Sequence, residues 1–167
     1  KNRGVFVREI SFEEADEIYE LREALEEVIG RRVARAVTPD ALKRLKAMLA
    51  PMKAAAQANE TEPYAQLNLQ FHDMLLDTAG SEKLTETYKR LTKELLLFRM
   101  RALDSGGGLR VSVDEHRAIV EAIASGDPDR AGGAMRRHVA ESRARMHKAL
   151  GRSGATATAS NPSSPLK

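Results

Sequence analysis

The stretch "LNLQFHDMLL", residues 67–76, decides how this chain folds. Leu67, Phe71, Met74 and Leu75 recur at the spacing of one apolar helical face, not at the alternation a strand requires. A helix turns about 100° per residue, so positions four apart lie only about 40° apart around it. His72 therefore stands on the same side as Asn68, one step round from Phe71. A ring nitrogen and an amide oxygen project together beside an apolar stripe. They either satisfy each other inside a core or form two arms of a site.

Working outward, the start signals are for helices throughout. "SFEE" (11–14) is a capping box and opens a first helix reaching about Val37, with Ile18, Leu21, Leu25, Val28 and Ile29 as its expected core face. Thr38 and Pro39 offer a cap and a proline at the first helical position for a second helix, to about Asn59. "TEPY" (61–64) opens the helix that carries the quoted stretch and ends near 79–81. Ser81 caps a fourth helix, with Leu84, Tyr88, Leu91, Leu95 and Phe98 facing inward. "DSGGG" (104–108) reads as a flexible break, and "SVDE" (112–115) as a second capping box opening a fifth helix. Asp127 and Pro128 start a sixth, which runs to about Leu150. The expected fold is an all-α antiparallel bundle. Before it, "GVFV" (4–7) reads as a short strand with no partner in the rest of the sequence. After it, residues 151–167 have almost nothing large and apolar to bury, which predicts a disordered tail.

Bulk composition narrows the function. At 167 residues the chain is long enough for one domain with a substantial core. No apolar run is long enough to span a membrane. Cysteine is absent, so no oxidising compartment is needed and the cytoplasm is the plain expectation. A net charge of +3 with both signs interleaved gives little support for direct DNA binding by this segment.

The four histidines carry the chemistry. His72, His116 and His138 fall on three different expected helices, each near an inner face. His147 lies nine residues beyond His138, about 180° round the helix, and is expected at the surface. Imidazole suits zinc and other transition metals, and bundle interiors are a common place to assemble such sites. Asn68 would add a neutral oxygen. Two other readings stand beside this one. The histidines can be separate hydrogen-bonded core residues, or they can hold a catalytic metal. The second needs a general base, and Glu115 is better used in its capping box.

The residues also resemble a known family. "YELREALE" (19–26), "LNLQFHDMLLDTAGSEKL" (67–84), "SVDEHRAIVEAIASGDPDRAGGAMRRHV" (112–139) and "GVFV" (4–7) are similar, in order, to the C-terminal effector domain (the FCD domain) of GntR-type transcriptional regulators, FadR subfamily. The resemblance implies a bundle of six or seven helices enclosing a ligand cavity. It implies a divalent metal, zinc above all with nickel or manganese as variants, held by Asn68, His72, His116 and His138. The family commonly has Asp where this chain has Asn68. A small organic acid would be the effector, with Arg22 and Arg99 bordering core stripes where a guanidinium fork could hold a carboxylate. It further implies a homodimer, no enzymatic activity, and operator DNA bound only through a preceding winged helix-turn-helix. Residues 1–10 would be the last wing strand and linker of that domain, 11–150 the effector domain.

Overall fold

The computed structural model describes residues 10–104 and 108–151. Among these residues seven helices follow one another: α1 (Phe12–Ala36), α2 (Pro39–Gln57), α3 (Thr61–Ala79), α4 (Glu82–Glu94), α5 (Leu96–Asp104), α6 (Gly108–Ala124) and α7 (Pro128–Ala149). No strand occurs among the described residues. The expected strand at 4–7 and nearly all of the expected tail lie outside them.

Local chemistry sets most of the helix starts. The Ser11 hydroxyl accepts from the Glu14 backbone N–H while the Glu14 carboxylate accepts from the Ser11 N–H, so the capping box forms in full. Thr38 and Ser81 cap α2 and α4. The Asp127 carboxylate accepts from the N–H groups of Asp129 and Arg130 ahead of Pro128.

Two expectations about helix limits are corrected. The fourth helix is not continuous, since the chain turns at Leu95 and divides it into α4 and α5. One turn earlier the Thr92 hydroxyl donates to the Tyr88 carbonyl at 3.0 Å, a back-bond that bends helices. Nor does "SVDE" open a helix, because α6 already begins at Gly108. Ser112 is buried, and Glu115 is turned to other partners.

α1 and α7 form the bundle's longest interface. Asp16 pairs with Arg143 and Arg31 with Asp129, so numbers rise along one helix as they fall along the other. The pair is antiparallel, and it lies close because glycines line the seam. A Cβ on Gly30 would sit 2.6 Å from the Ala131 carbonyl oxygen, and one on Gly132 would sit 2.9 Å from the Glu27 carbonyl oxygen.

The face that α1 turns inward is not the expected one. Ile18 and Ile29 are buried, but Leu21 and Val28 are exposed and Leu25 is half-buried. Tyr19, Arg22 and Glu26 take the interior positions instead. Apolar contact thus divides into two clusters. The larger includes Ile29, Leu45, Phe71, Ile119 and Met135; the smaller includes Ile10, Tyr19, Leu95, Val139 and Met146. Along α1 and α7, Arg22, Glu26 and His138 fall between members of the two. A polar layer crosses the core, where well-packed apolar residues of similar volume would often be at least as stable.

A buried three-histidine centre

Three further helices, α3, α6 and α7, reach that layer besides α1. α3 supplies Asn68 and His72, α6 supplies His116, and α7 supplies His138; all four side chains are buried. One ring nitrogen from each histidine lies within 4.8 Å of the others. The structure thus brings together the residues that the sequence analysis singled out. His147 lies outside the group, though it is not a free surface residue. Its ring packs edge-on against Phe12 and its Nε2 lies 2.6 Å from Asp16 Oδ1.

Each imidazole in the layer is oriented in the same sense. His116 Nδ1 is 2.6 Å from the Ser112 carbonyl oxygen, which can only accept, so Nδ1 carries the hydrogen. His138 Nδ1 is 2.8 Å from Glu115 Oε2. Arg145 grips that carboxylate with both Nη atoms, at 2.5 and 3.0 Å. His72 Nδ1 faces Glu26 Oε2 at 3.6 Å, while its Nε2 is buried with no hydrogen-bond partner. The Nδ1 contacts of His116 and His138 leave Nε2 with its lone pair on those two rings; His72 is turned the same way, at a distance longer than a hydrogen bond. A metal ligand set uses this outer arrangement, in which a carboxylate or carbonyl fixes the tautomer.

Electrostatics keeps two of these rings in the form that binds metal. Burial, then the neighbouring His138 and His116, pushes His72 well below the ordinary histidine range. Burial and His138 push His116 down to about 3. Both rings are neutral at neutral pH. Burial pushes Glu115 up, but hydrogen bonds from His138 and Arg145 outweigh it and hold the group below its usual value. Glu115 is thus a bound carboxylate, unavailable as a general base.

The Asn68 contact tests whether the donors suit a cation. Asn68 Oδ1 lies 2.9 Å from His116 Nε2. With the His116 hydrogen on Nδ1, two lone pairs face each other. Turning the amide so that its N–H donates relieves the conflict, and so does a cation that both lone pairs can bind. The imidazoles, the amide oxygen and the orphaned His72 Nε2 fit a borderline transition metal.

Arg22 and Arg99, expected to border core stripes, are both buried. Arg22 Nη2 donates to Glu26 Oε1 at 2.5 Å, and its Nε and Nη1 have no hydrogen-bond partner. Its guanidinium lies between the Tyr19 and Tyr88 rings, 5.5 and 5.7 Å from their centroids. Burial, then the nearby Arg22, pushes Arg99 below its ordinary value. A cavity of about 330 Å³ between α3, α4 and α5 is lined by His72, Tyr88, Thr92 and Arg99, and also by Lys93 and the ion pair of Lys89 with Asp73. It gives the layer a route to solvent.

Sequence reasoning missed three residues of this layer. Glu26 follows Arg22 by four, a spacing that already paired them. Arg145 follows His138 by seven, on the same side of α7. Glu115 was assigned to a cap that does not form.

Bundle and layer together define an all-α domain built around a buried polar centre. The chain belongs to the FCD domain family, whose profile matches residues 17–141. It is 28% identical over 137 residues to the probable D-xylose utilization operon transcriptional repressor of Paenarthrobacter nicotinovorans, covering 82% of this chain and 60% of that protein. It is 24% identical over 139 residues to the HTH-type transcriptional repressor RspR of Escherichia coli K12, covering 83% and 61%. Among solved structures, Streptococcus agalactiae GntR matches with a TM-score of 0.68 at 25% identity, over 78% of this chain and 58% of that one. E. coli McbR/YncC matches in fold, with a TM-score of 0.77 at 17% identity, over 84% and 71%. The chain thus spans about 60% of the length of the curated relatives it matches. Those relatives are transcriptional regulators, in keeping with a non-enzymatic FCD domain of GntR type. No described helix is long and apolar enough to cross a membrane.

Proposed function

We propose that this chain is the effector-sensing domain of a cytoplasmic, homodimeric transcriptional regulator. In this reading it takes a small organic acid at a divalent metal in the polar layer. The observation that carries this is the common orientation of His72, His116 and His138, each with Nδ1 toward an oxygen and Nε2 left to bind. These three rings and Asn68 would hold the ion; zinc is favoured by the imidazole-rich set, with nickel or manganese as variants. The ion would supply a Lewis-acidic position for a carboxylate or hydroxyl oxygen. Arg22 and Arg99 would take the acid's other end.

Signalling follows from linkage. An effector shifts DNA affinity only as far as it binds two conformations of the dimer differently. The layer joins α1, α3, α6 and α7, so a ligand there bears on the packing of α1 against α7. The whole regulator would carry that change to DNA-binding domains reading paired half-sites.

Elemental analysis of the purified chain beside His72→Ala and His147→Ala tests the reading. Wild type and His147→Ala should carry about one transition metal per chain and His72→Ala almost none. A thermal-shift screen of small carboxylic acids, with metal supplied, then seeks the effector class. Wild-type protein that stays metal-free after metal is supplied would overturn the metal part.

A further inference from the structure

α1 keeps an apolar stripe on the side turned away from the bundle. Leu21 is 55% exposed and Val28 45%, with exposed Ala24 and half-buried Leu25 between them. Exposed Glu17 continues the stripe toward the helix start, and exposed Arg32 and Arg35 continue it toward the end. Its steps are of three and four residues, the spacing of a helix-pairing seam rather than of leucines scattered over a surface. Glu17, Glu20 and Arg35 form no ion pair among the described residues. Arg32 donates to the neutral carbonyls of Ala79 and Gly80, at 2.9 and 3.4 Å, so its guanidinium is held in place with no described carboxylate to match its charge.

This face runs acidic, apolar, basic, and reversed it is its own complement, as a two-fold contact between identical chains requires. Deepening the homodimeric reading above, on which it rests, we propose that the outer face of α1 docks on the same face of a second copy, with the two helices antiparallel. The two-fold axis passes between Ala24 and Leu25. Leu21 then packs on Val28 of the partner subunit, and Ala24 on Leu25 of the partner subunit. At each end of the seam Glu17 meets Arg32 of the partner subunit. A parallel pairing would instead set Glu17 on its own copy and Arg32 on its own copy, like charges that oppose association. On its inner side the same helix carries Arg22 and Glu26 into the polar layer, so the seam lies one helix away from the site.

Sedimentation velocity and cross-linking of the full chain test this. Wild type should sediment as a dimer, and Leu21→Glu should weaken the dimer by about tenfold or more in Kd, because the change enters the seam twice. If Leu21→Glu does not fold by circular dichroism, Val28→Lys takes its place. The chain has no cysteine of its own, so a single introduced thiol reports the register. Two copies of Ala24→Cys meet beside the axis and should be joined by a short bis-maleimide. Two copies of Glu17→Cys lie about 22 Å apart along an antiparallel seam and should not be joined. Cross-linking of Glu17→Cys as readily as Ala24→Cys overturns the antiparallel arrangement. A dimer whose Kd is unchanged by the folded seam variant, or one in which Ala24→Cys is not joined, overturns the seam and leaves the homodimeric reading standing. Wild type that sediments only as a monomer overturns both.

Discussion

Replacing Glu115 with Gln separates the two tasks this carboxylate performs. It receives the His138 Nδ1–H at 2.8 Å and holds Arg145 through both oxygens. For the metal, losing an outer carboxylate of this kind costs about 10- to 100-fold in affinity, roughly 1.4–2.7 kcal/mol. For the fold, the cost comes from leaving the Arg145 guanidinium, 13% exposed, against a neutral amide. Breaking a fully buried pair costs about 3–5 kcal/mol. Arg145 is partly solvated and the amide oxygen still accepts one bond, so about 2 kcal/mol is expected, roughly 4–8 °C in Tm. Chelator competition with zinc measures the first effect, and calorimetric melting of the metal-free protein the second. Adding Arg145→Met should recover most of the stability, because no unpaired charge remains. It should not recover zinc affinity, because the His138 ring is still held only by an amide. Zinc affinity within about twofold of wild type in Glu115→Gln would refute the orienting role and leave Glu115 a structural residue only.

Other perturbations probe the seam and the titrating groups. Gly30→Ala places a Cβ 2.6 Å from the Ala131 carbonyl oxygen and should cost about 2–3 kcal/mol by urea unfolding. Gly133→Ala meets only Arg137 Nη1 at 3.5 Å and should stabilise by about 0.5 kcal/mol, because Ala suits a helix interior better than Gly. The Arg143 hydrogen bond, helped by His147, lowers Asp16 from 3.8 to about 2. Its contribution is therefore full above about pH 4 and is lost as pH falls toward 2. After discounting for solvent screening it should amount to about 1 kcal/mol, absent in Asp16→Asn. His116 titrates in the opposite sense to a salt-bridged base. Folded, it stays neutral down to about 3, while the unfolded group takes up a proton below its ordinary 6.5. Metal-free stability should therefore fall on acidification, by about 2 kcal/mol between pH 7 and pH 5 from this residue, a slope that His116→Gln should reduce.

Much of this protein is legible in its sequence because the signals are local. A cap is settled within three or four residues, so Ser11, Thr38, Ser81 and Asp127 announce their helices without knowledge of the rest. Asn68 and His72 are placed together by the pitch of one helix. That His116 and His138 belong near inner faces follows from the apolar residues beside them. The inner face of α1 was not legible. Leu21, Leu25 and Val28 form as good an apolar stripe as Tyr19, Arg22, Glu26 and Ile29, and only the seam with α7, close enough for Gly30 and Gly132, selects the second. The role of Glu115 was hidden for the same reason. A Ser and a Glu three residues apart spell a cap anywhere, but here the helix starts earlier and Arg145 and His138 approach from α7. The sequence by itself determined which helices form and which side chains share a turn. Only the tertiary structure decided which faces meet: Glu115 of α6 and Arg145 of α7 are tolerable inside only where the two helices bring them together, and the Arg22–Glu26 pair, already matched within α1, is buried only because the other helices pack over it.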